Sequence, residues 1–362
     1  MSIQKNVDDL KEWYHQKQPI YSNLASKIES IIKELFKAEG VTYYSISSRV
    51  KDLDSFIKKA QKEKYHDPIN QIQDLAGIRV ITYVRKEVIK SCDIIKPLFK
   101  IDETNSVDKS SELGKDKVGY RSVHYIATLT DERLALPEYK MFKNLVFEIQ
   151  VRTLLEHAWA DISHDRSYKF KGDFPPEYDI ERRFALASAT LELVDREFDS
   201  IVTTLDKYEN ETEEKTKRGE LDLPINATSV NNYLLHTLAK YIEMGKVEPS
   251  FNGAEANVID ELLDFDLSNL GELDLLISRF LKEAPMIFER TNFVGLLRNL
   301  MMLTDTDKYF NKAWNQHWAS IDAGFLQIAS DYGIDMGDYI ENNQIDIYVD
   351  EEYGYYIDHE DI

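Results

Sequence analysis

Two short apolar runs constrain this chain more than any other feature, because each carries an acid at its edge and cations close by. Residues 78–84 and 146–151 are rich in β-branched side chains and short enough to be strands. Asp74 stands just ahead of the first run, in the string DLAGIRV over 74–80, and Glu148 lies within the second, in EIQVRT over 148–153. Two neighbouring strands would then hold one carboxylate each at adjacent positions of a sheet. Alternation along the second run puts Glu148, Gln150 and Arg152 on one face, opposite Ile149 and Val151. Paired acids facing Arg and Lys suit a magnesium ion that carries a nucleotide phosphate. Mg²⁺ prefers oxygen ligands, keeps several waters and takes only one or two protein carboxylates. The cations would neutralise phosphate oxygens as charge shifts during transfer. For either acid taken alone, the alternative is an ordinary half-buried sheet with acids at its rim.

Upstream, Arg49, Lys51, Ser55 and Lys59 form the spacing Arg-x-Lys-x-x-x-Ser-x-x-x-Lys. A helix starting near Asp52 puts Ser55 and Lys59 one turn apart on the same face, with Arg49 and Lys51 on the approach to it. A hydroxyl and three cations converging in this way suit a triphosphate. A solvated basic helix is the plainer reading, since Lys58, Lys62 and Lys64 lie here too. Residues 103–118 are polar, without apolar periodicity, and read as a loop leading to GYRSVH at 119–124. Tyr120 at this loop-to-strand junction can stack on a purine base, although a tyrosine so placed is more often a packing residue. After 153 a helix carries His157 and His164, seven apart on one face. They lack a third ligand at fixed spacing for zinc.

Taken in order, the strings over residues 40–170 resemble the synthetase domain of the RelA/SpoT family, the alarmone synthetases. The resemblance implies an α+β fold, a nucleotidyltransferase-like mixed β-sheet flanked by helices. It implies a GTP/GDP pyrophosphokinase that moves the β,γ-diphosphate of ATP to the 3′-hydroxyl of GDP or GTP, giving (p)ppGpp and AMP with Mg²⁺. By the same resemblance Asp74 and Glu148 are catalytic and hold the metal, and Glu148 also draws the proton from the 3′-hydroxyl. Arg49, Lys51, Ser55, Lys59 and Arg79 would hold the donor ATP. Lys115 and Lys117 would reach the acceptor's phosphates, in a segment that departs from the commoner form of the family's loop. Tyr120 would stack on guanine, while Arg121, Ser122, His124, Gln150, Arg152, His157 and Lys169 line the rest. The family's hydrolase half is expected to be lacking, since only His15 and His66 precede Asp74. Two rivals stay open: a toxic member that places the pyrophosphate on the 3′ end of tRNA, and an inactive sensor that binds a protein partner. A homo-oligomer is also open, as small members of the family often form tetramers.

The net charge of −21 argues against a protein that coats nucleic acid through its general field. One cysteine, Cys92, excludes an internal disulfide and a cysteine zinc site. No apolar run reaches bilayer length and the first residues show no signal-peptide core, so no membrane partner and a cytoplasmic location are expected. We expect the synthetase domain over 1–209, opening with helical residues 3–38 that Pro19 divides in two and a short strand at 41–46. A helix over 181–209 should end it. Residues 210–222 read as a charged linker, 223–332 as an all-α module and 333–362 as an acidic, tyrosine-rich tail. Trp314, Trp318, Ile321 and Phe325 extend the helical pattern as core, with a partner-binding groove as the alternative. The tail reads as solvated or loosely docked. A sharper expectation is that its acids and tyrosines mimic nucleotide groups and cover the basic cleft.

Overall fold

A computed structural model describes residues 7–108, 122–169, 179–283, 285–288 and 290–349, except the side chains of 164–169 and 181. The chain divides into two compact units, 1–203 and 204–362.

The first unit is built on a mixed sheet. Strands β1 (Ser45–Val50), β2 (Ala76–Thr82), β3 (Lys100–Ile101), β4 (Val107–Asp108), β5 (Val123–Thr128) and β6 (Phe147–Thr153) take the order β1-β2-β6-β5-β3, with β4 also on β5. Only β2 and β6 run parallel. Alternation separates the two faces. Ile46, Ala76, Ile78, Val80, Phe147, Ile149 and Val151 are buried with α1 (Val7–Ala38) and α3 (Arg85–Ile95) in one core. The register places Arg49, Gly77 and Glu148 in a row across the other face, and Arg79, Gln150 and His124 in the next.

Helix α1 runs unbroken through Pro19, against the expected division in two. An internal proline costs about 3 kcal/mol. Here Leu10 and Tyr14 before it and Tyr21, Leu24 and Ile28 after it are buried in the same core, which offsets that cost. The first strand also starts later than expected, at Ser45, because the Val41 amide donates back to the Phe36 carbonyl at the end of α1 at 2.9 Å rather than into the sheet. Arg49 is therefore a strand residue.

Helix α2 (Leu53–Ala60) is capped by Asp52, whose carboxylate accepts from the Ser55 amide at 2.8 Å. Phe56 stacks on Tyr14 of α1, ring centres 5.0 Å apart, and fixes the side of α2 that faces the protein. Helices α4 (Leu154–Lys169) and α5 (Ile180–Lys217) follow β6. The charged stretch from 210, expected as a linker, continues α5 as far as Lys217. Its Glu and Lys residues pair one turn apart, as Lys217 with Glu213 and Arg218 with Glu214.

The second unit is mainly helical, with α6 (Ala227–Thr237), α7 (Glu255–Asp264), α8 (Leu270–Glu283), α9 (Phe293–Thr304), α10 (Ala323–Asp331) and α11 (Gly337–Asn343). It is not all-α: β7 (Val247–Glu248) pairs with β8 (Thr291–Asn292), and β9 (Ser320–Asp322) with β10 (Asp346–Tyr348). Trp314 and Trp318 lie outside regular helix, where they contact Phe310 and each other. Residues 333–348 are not a loose tail, because Met336 and Ile345 are buried in this unit's core and β10 completes a ladder. The tyrosines at 353, 355 and 356 lie outside the described residues.

Charge is divided unequally. The second unit holds 12 of the 44 Lys and Arg but 32 of the 65 Asp and Glu, which gives it −20 and leaves −1 to the first. The acidity of the chain therefore says little about what the sheet face can bind. Among the described residues no helix is long and apolar enough to cross a membrane.

Candidate active site

The polar face of the sheet gathers most of the expected residues that are described. Asp74 is not on a strand. It sits two residues ahead of β2, with a bend at Leu75 between it and the strand that interrupts the alternation. Its Oδ2 accepts from both Lys51 Nζ at 2.7 Å and Lys59 Nζ at 2.8 Å. Its Oδ1 is buried and finds no hydrogen-bond partner. Burial works against ionisation of Asp74 more than any other single influence, yet the two lysines together hold its pKa below the ordinary value.

Glu148 projects from β6 in register with Gly77 of β2. Its Oε1 accepts from His124 Nδ1 at 2.9 Å and its Oε2 from Gln150 Nε2 at 2.9 Å. Burial again opposes ionisation, and His124 and Gln150 outweigh it, so Glu148 stays ionised below the usual carboxylate range. The negative charge of Asp74 pushes the other way, a sign that the two carboxylates feel one another across β2 and β6. His124 Nε2 lies 2.6 Å from Ser122 Oγ. In the tautomer that donates from Nδ1, Nε2 accepts the serine proton.

Gly77 leaves room for a cation. A Cβ there would meet Arg49 Nε at 3.3 Å, so the guanidinium stem of Arg49 lies against the glycine backbone. Arg79 follows on the same face, in register with Gln150. Ser55 is exposed on α2 and is not part of the carboxylate cluster. At the far end of β6, buried Arg152 donates to His157 Nδ1 at 2.6 Å, with Asp161 3.6 Å from the guanidinium. Burial, then the Arg152 charge, holds the His157 pKa below 6.5. Lys115, Lys117, Tyr120 and Arg121 lie outside the described residues, as do the side chains of His164 and Lys169.

Behind this end of the sheet is a cluster that the sequence reading missed. Thr153 caps α4: its Oγ1 accepts from the Glu156 amide at 3.2 Å, and Glu156 Oε2 accepts from the Thr153 amide at 2.9 Å. This is a capping box, legible as Thr-x-x-Glu at 153–156. Thr153 also donates to Asp195 of α5 at 2.7 Å, and Arg85 stands 3.6 Å from Glu156. Nothing in the sequence signals Asp195, an acid in the middle of a long charged helix.

Burial lifts the Glu156 pKa from 4.5 to about 7, only partly countered by the Thr153 amide and Arg85. Such a group stabilises the fold fully below its unfolded pKa, near 4.5, and loses that contribution as pH rises through about 7. Glu156→Gln keeps the capping bond without the charge. We expect it to match the wild type at pH 5 and to be more stable at pH 8, by roughly 2–3 kcal/mol. Urea denaturation at the two pH values tests this, and an equal gain at both would refute the assignment.

Residues 48–173 match the profile described as the region found in RelA / SpoT proteins. This stretch, about a third of the chain, is thus similar to the region found in RelA / SpoT proteins. The RelA/SpoT match starts just before Arg49 and so takes in both carboxylates and both lysines. The chain is 30% identical over 135 residues to GTP pyrophosphokinase YjbM of Bacillus subtilis, which is 37% of this chain and 59% of that relative. It thus spans less than two thirds of the curated relative it matches. Among solved structures it is similar to small alarmone synthetase 1 of Bacillus subtilis, at 23% identity and TM-score 0.44, covering 54% of this chain and 98% of that one. A GTP pyrophosphokinase family protein of Streptococcus pneumoniae gives 25% identity and TM-score 0.45, covering 54% and 96%.

Proposed function

We propose that the protein is a GTP or GDP pyrophosphokinase that transfers the β,γ-diphosphate of ATP to the acceptor's 3′-hydroxyl, releasing AMP. The observation that carries this reading is the set formed by Asp74, Lys51 and Lys59 beside Glu148, on a RelA/SpoT sheet face. The activity of the relative YjbM, named a GTP pyrophosphokinase, supports the choice of substrates.

The donor set fits a magnesium ion. Asp74 Oδ1 is a buried, unused oxygen, Glu148 is held ionised, and two carboxylates are what Mg²⁺ commonly takes from a protein. Among the described residues no cluster of three or more His, Cys, Asp and Glu competes as a metal site. Asp74 and Glu148 would hold the ion, which when bound supplies positive charge to the transferring phosphates.

The chain's own groups do the rest. Lys51 and Lys59 share a single oxygen of Asp74, and donor phosphates offer them several more, so both ammonium groups turn to the triphosphate when it binds. Arg49 and Arg79 add guanidinium charge along the same face. Glu148 accepts the proton of the 3′-hydroxyl while His124 Nδ1 and Gln150 Nε2 orient it. Ser122 fixes the far side of the His124 ring. By the resemblance, Tyr120 and the lysines at 115 and 117 would contact the acceptor, as would Arg152 and His157.

Incubating the protein with γ-labelled ATP and GDP, GTP or tRNA tests the reading. Label should pass to GDP or GTP as a 3′-diphosphate, with AMP released in equal amount. Label on the 3′ end of tRNA instead would make the protein the toxic type, and no transfer to any acceptor would overturn the proposal.

A further inference from the structure

We propose that Asp195 is a positioning residue for this site, acting through Thr153 to hold the first turn of α4 and, with it, His157 against Arg152.

Strand β6 passes into α4 without a loop: Thr153 ends the strand and Leu154 begins the helix. The direction in which α4 leaves the sheet is therefore set by how Thr153 is held. A capping box satisfies the local amides, but it leaves the threonine hydroxyl proton without a partner in α4. That proton goes to Asp195 Oδ2 at 2.7 Å, from a helix 42 residues further on. Asp195 is 7% exposed and its other oxygen, Oδ1, has no hydrogen-bond partner. A buried carboxylate with a single bond is a poor choice for packing alone, because an apolar side chain would fill the space without the desolvation. Its position on the cap hydroxyl is what the acid supplies.

A second contact repeats the arrangement. Asp199, one turn along α5, accepts from the Lys86 amide at 2.6 Å in the first turn of α3. Helices α3 and α4 each follow one of the two parallel strands that flank the carboxylates. Arg85 and Glu156 link the two first turns directly. Helix α5 thus holds both turns from outside the sheet. It runs on to Lys217, past the division at 203, and so belongs to the acidic C-terminal unit as well.

His157 reports on this arrangement whether or not substrates are present. Its ring accepts from Arg152 only while α4 keeps its direction, and that contact contributes to holding its pKa below 6.5. The test compares four variants by NMR titration of His157, assigned with His157→Gln, and by steady-state kinetics. Thr153→Val and Asp195→Ala should return the His157 titration towards 6.5 and raise acceptor KM by about 10-fold, with donor KM within about 2-fold. Thr153→Ser and Asp195→Asn keep the hydroxyl and an accepting oxygen, so both readouts should stay within about 2-fold of the wild type. An unmoved His157 titration in the Val and Ala variants would overturn the proposal. So would Ser and Asn variants as impaired as those, or donor and acceptor KM rising together. If Thr153→Val does not fold, the contrast between Asp195→Ala and Asp195→Asn decides. The kinetic arm rests on the activity proposed above. Should the wild type transfer nothing, that reading fails while the titration still answers for Asp195.

Discussion

Asp74→Asn should reduce pyrophosphate transfer by on the order of 10³-fold or more while leaving the protein folded. The substitution keeps the shape but removes the charge on which Lys51 and Lys59 converge and the buried Oδ1 that is open to a metal. The two lysines are 14% and 29% exposed and can turn outward, so the stability change is expected to be small. Binding of ATP without Mg²⁺ should be as tight or tighter, because Asp74 no longer competes with phosphate for the ammonium groups. Calorimetric ATP titration with and without Mg²⁺ separates these effects. Transfer at the wild-type rate would remove Asp74 from the mechanism. Glu148→Gln should lose transfer to a similar degree, since the amide offers His124 an oxygen but can neither take a proton nor carry the charge.

What the sequence disclosed about this site follows from how local each feature is. Lys51, Ser55 and Lys59 sit within nine residues, and the Asp52 cap and Phe56 decide their helix from nearby, so their spacing could be read directly. Glu148, Gln150 and Arg152 share a face by strand alternation alone. Asp74 was expected on a strand, at a position next to Glu148, and lies two residues ahead of β2 instead, since the bend at Leu75 has no signature in residue type. Pro19 misled because a propensity of a few kcal/mol yields to a continuous buried face on both sides of it. Asp195 was invisible for a different reason. Its buried, paired state depends on a contact with Thr153, 42 residues earlier, and a charged residue in a charged helix reads as solvated. The same applies to residues 333–348, where acids hide two apolar anchors, Met336 and Ile345.

In the C-terminal unit, Arg298→Met should cost about 3–5 kcal/mol, because it strands a buried charge. Glu261 has no exposed surface and accepts from Arg298 Nε at 2.9 Å, from its Nη2 at 2.6 Å and from the Tyr309 hydroxyl at 2.9 Å. Trp318 Nε1 then donates to Tyr309 Oη at 3.0 Å, and the Arg298 cation lies 5.7 Å from the centre of the Trp318 ring. One buried acid thus ties α7, α9 and the turn of π-helix at Tyr309–Ala313 to the aromatic cluster of Phe310, Trp314, Trp318 and Tyr339. With Met at 298 the carboxylate keeps only the tyrosine, so the unit's melting temperature should fall by roughly 10 °C or more. Replacing both partners, Glu261→Met with Arg298→Met, removes the stranded charge along with the bond. That double variant should recover most of the loss, to within about 1.5 kcal/mol of the wild type. The comparison distinguishes an ion pair kept for net stability from one that is costly only when broken. A double variant as unstable as the single would mean that the network contributes stability of its own. Because the network lies wholly within 204–362, transfer by the single variant above the lowered melting temperature of that unit, with the first unit still folded, shows whether the proposed activity needs an ordered C-terminal unit.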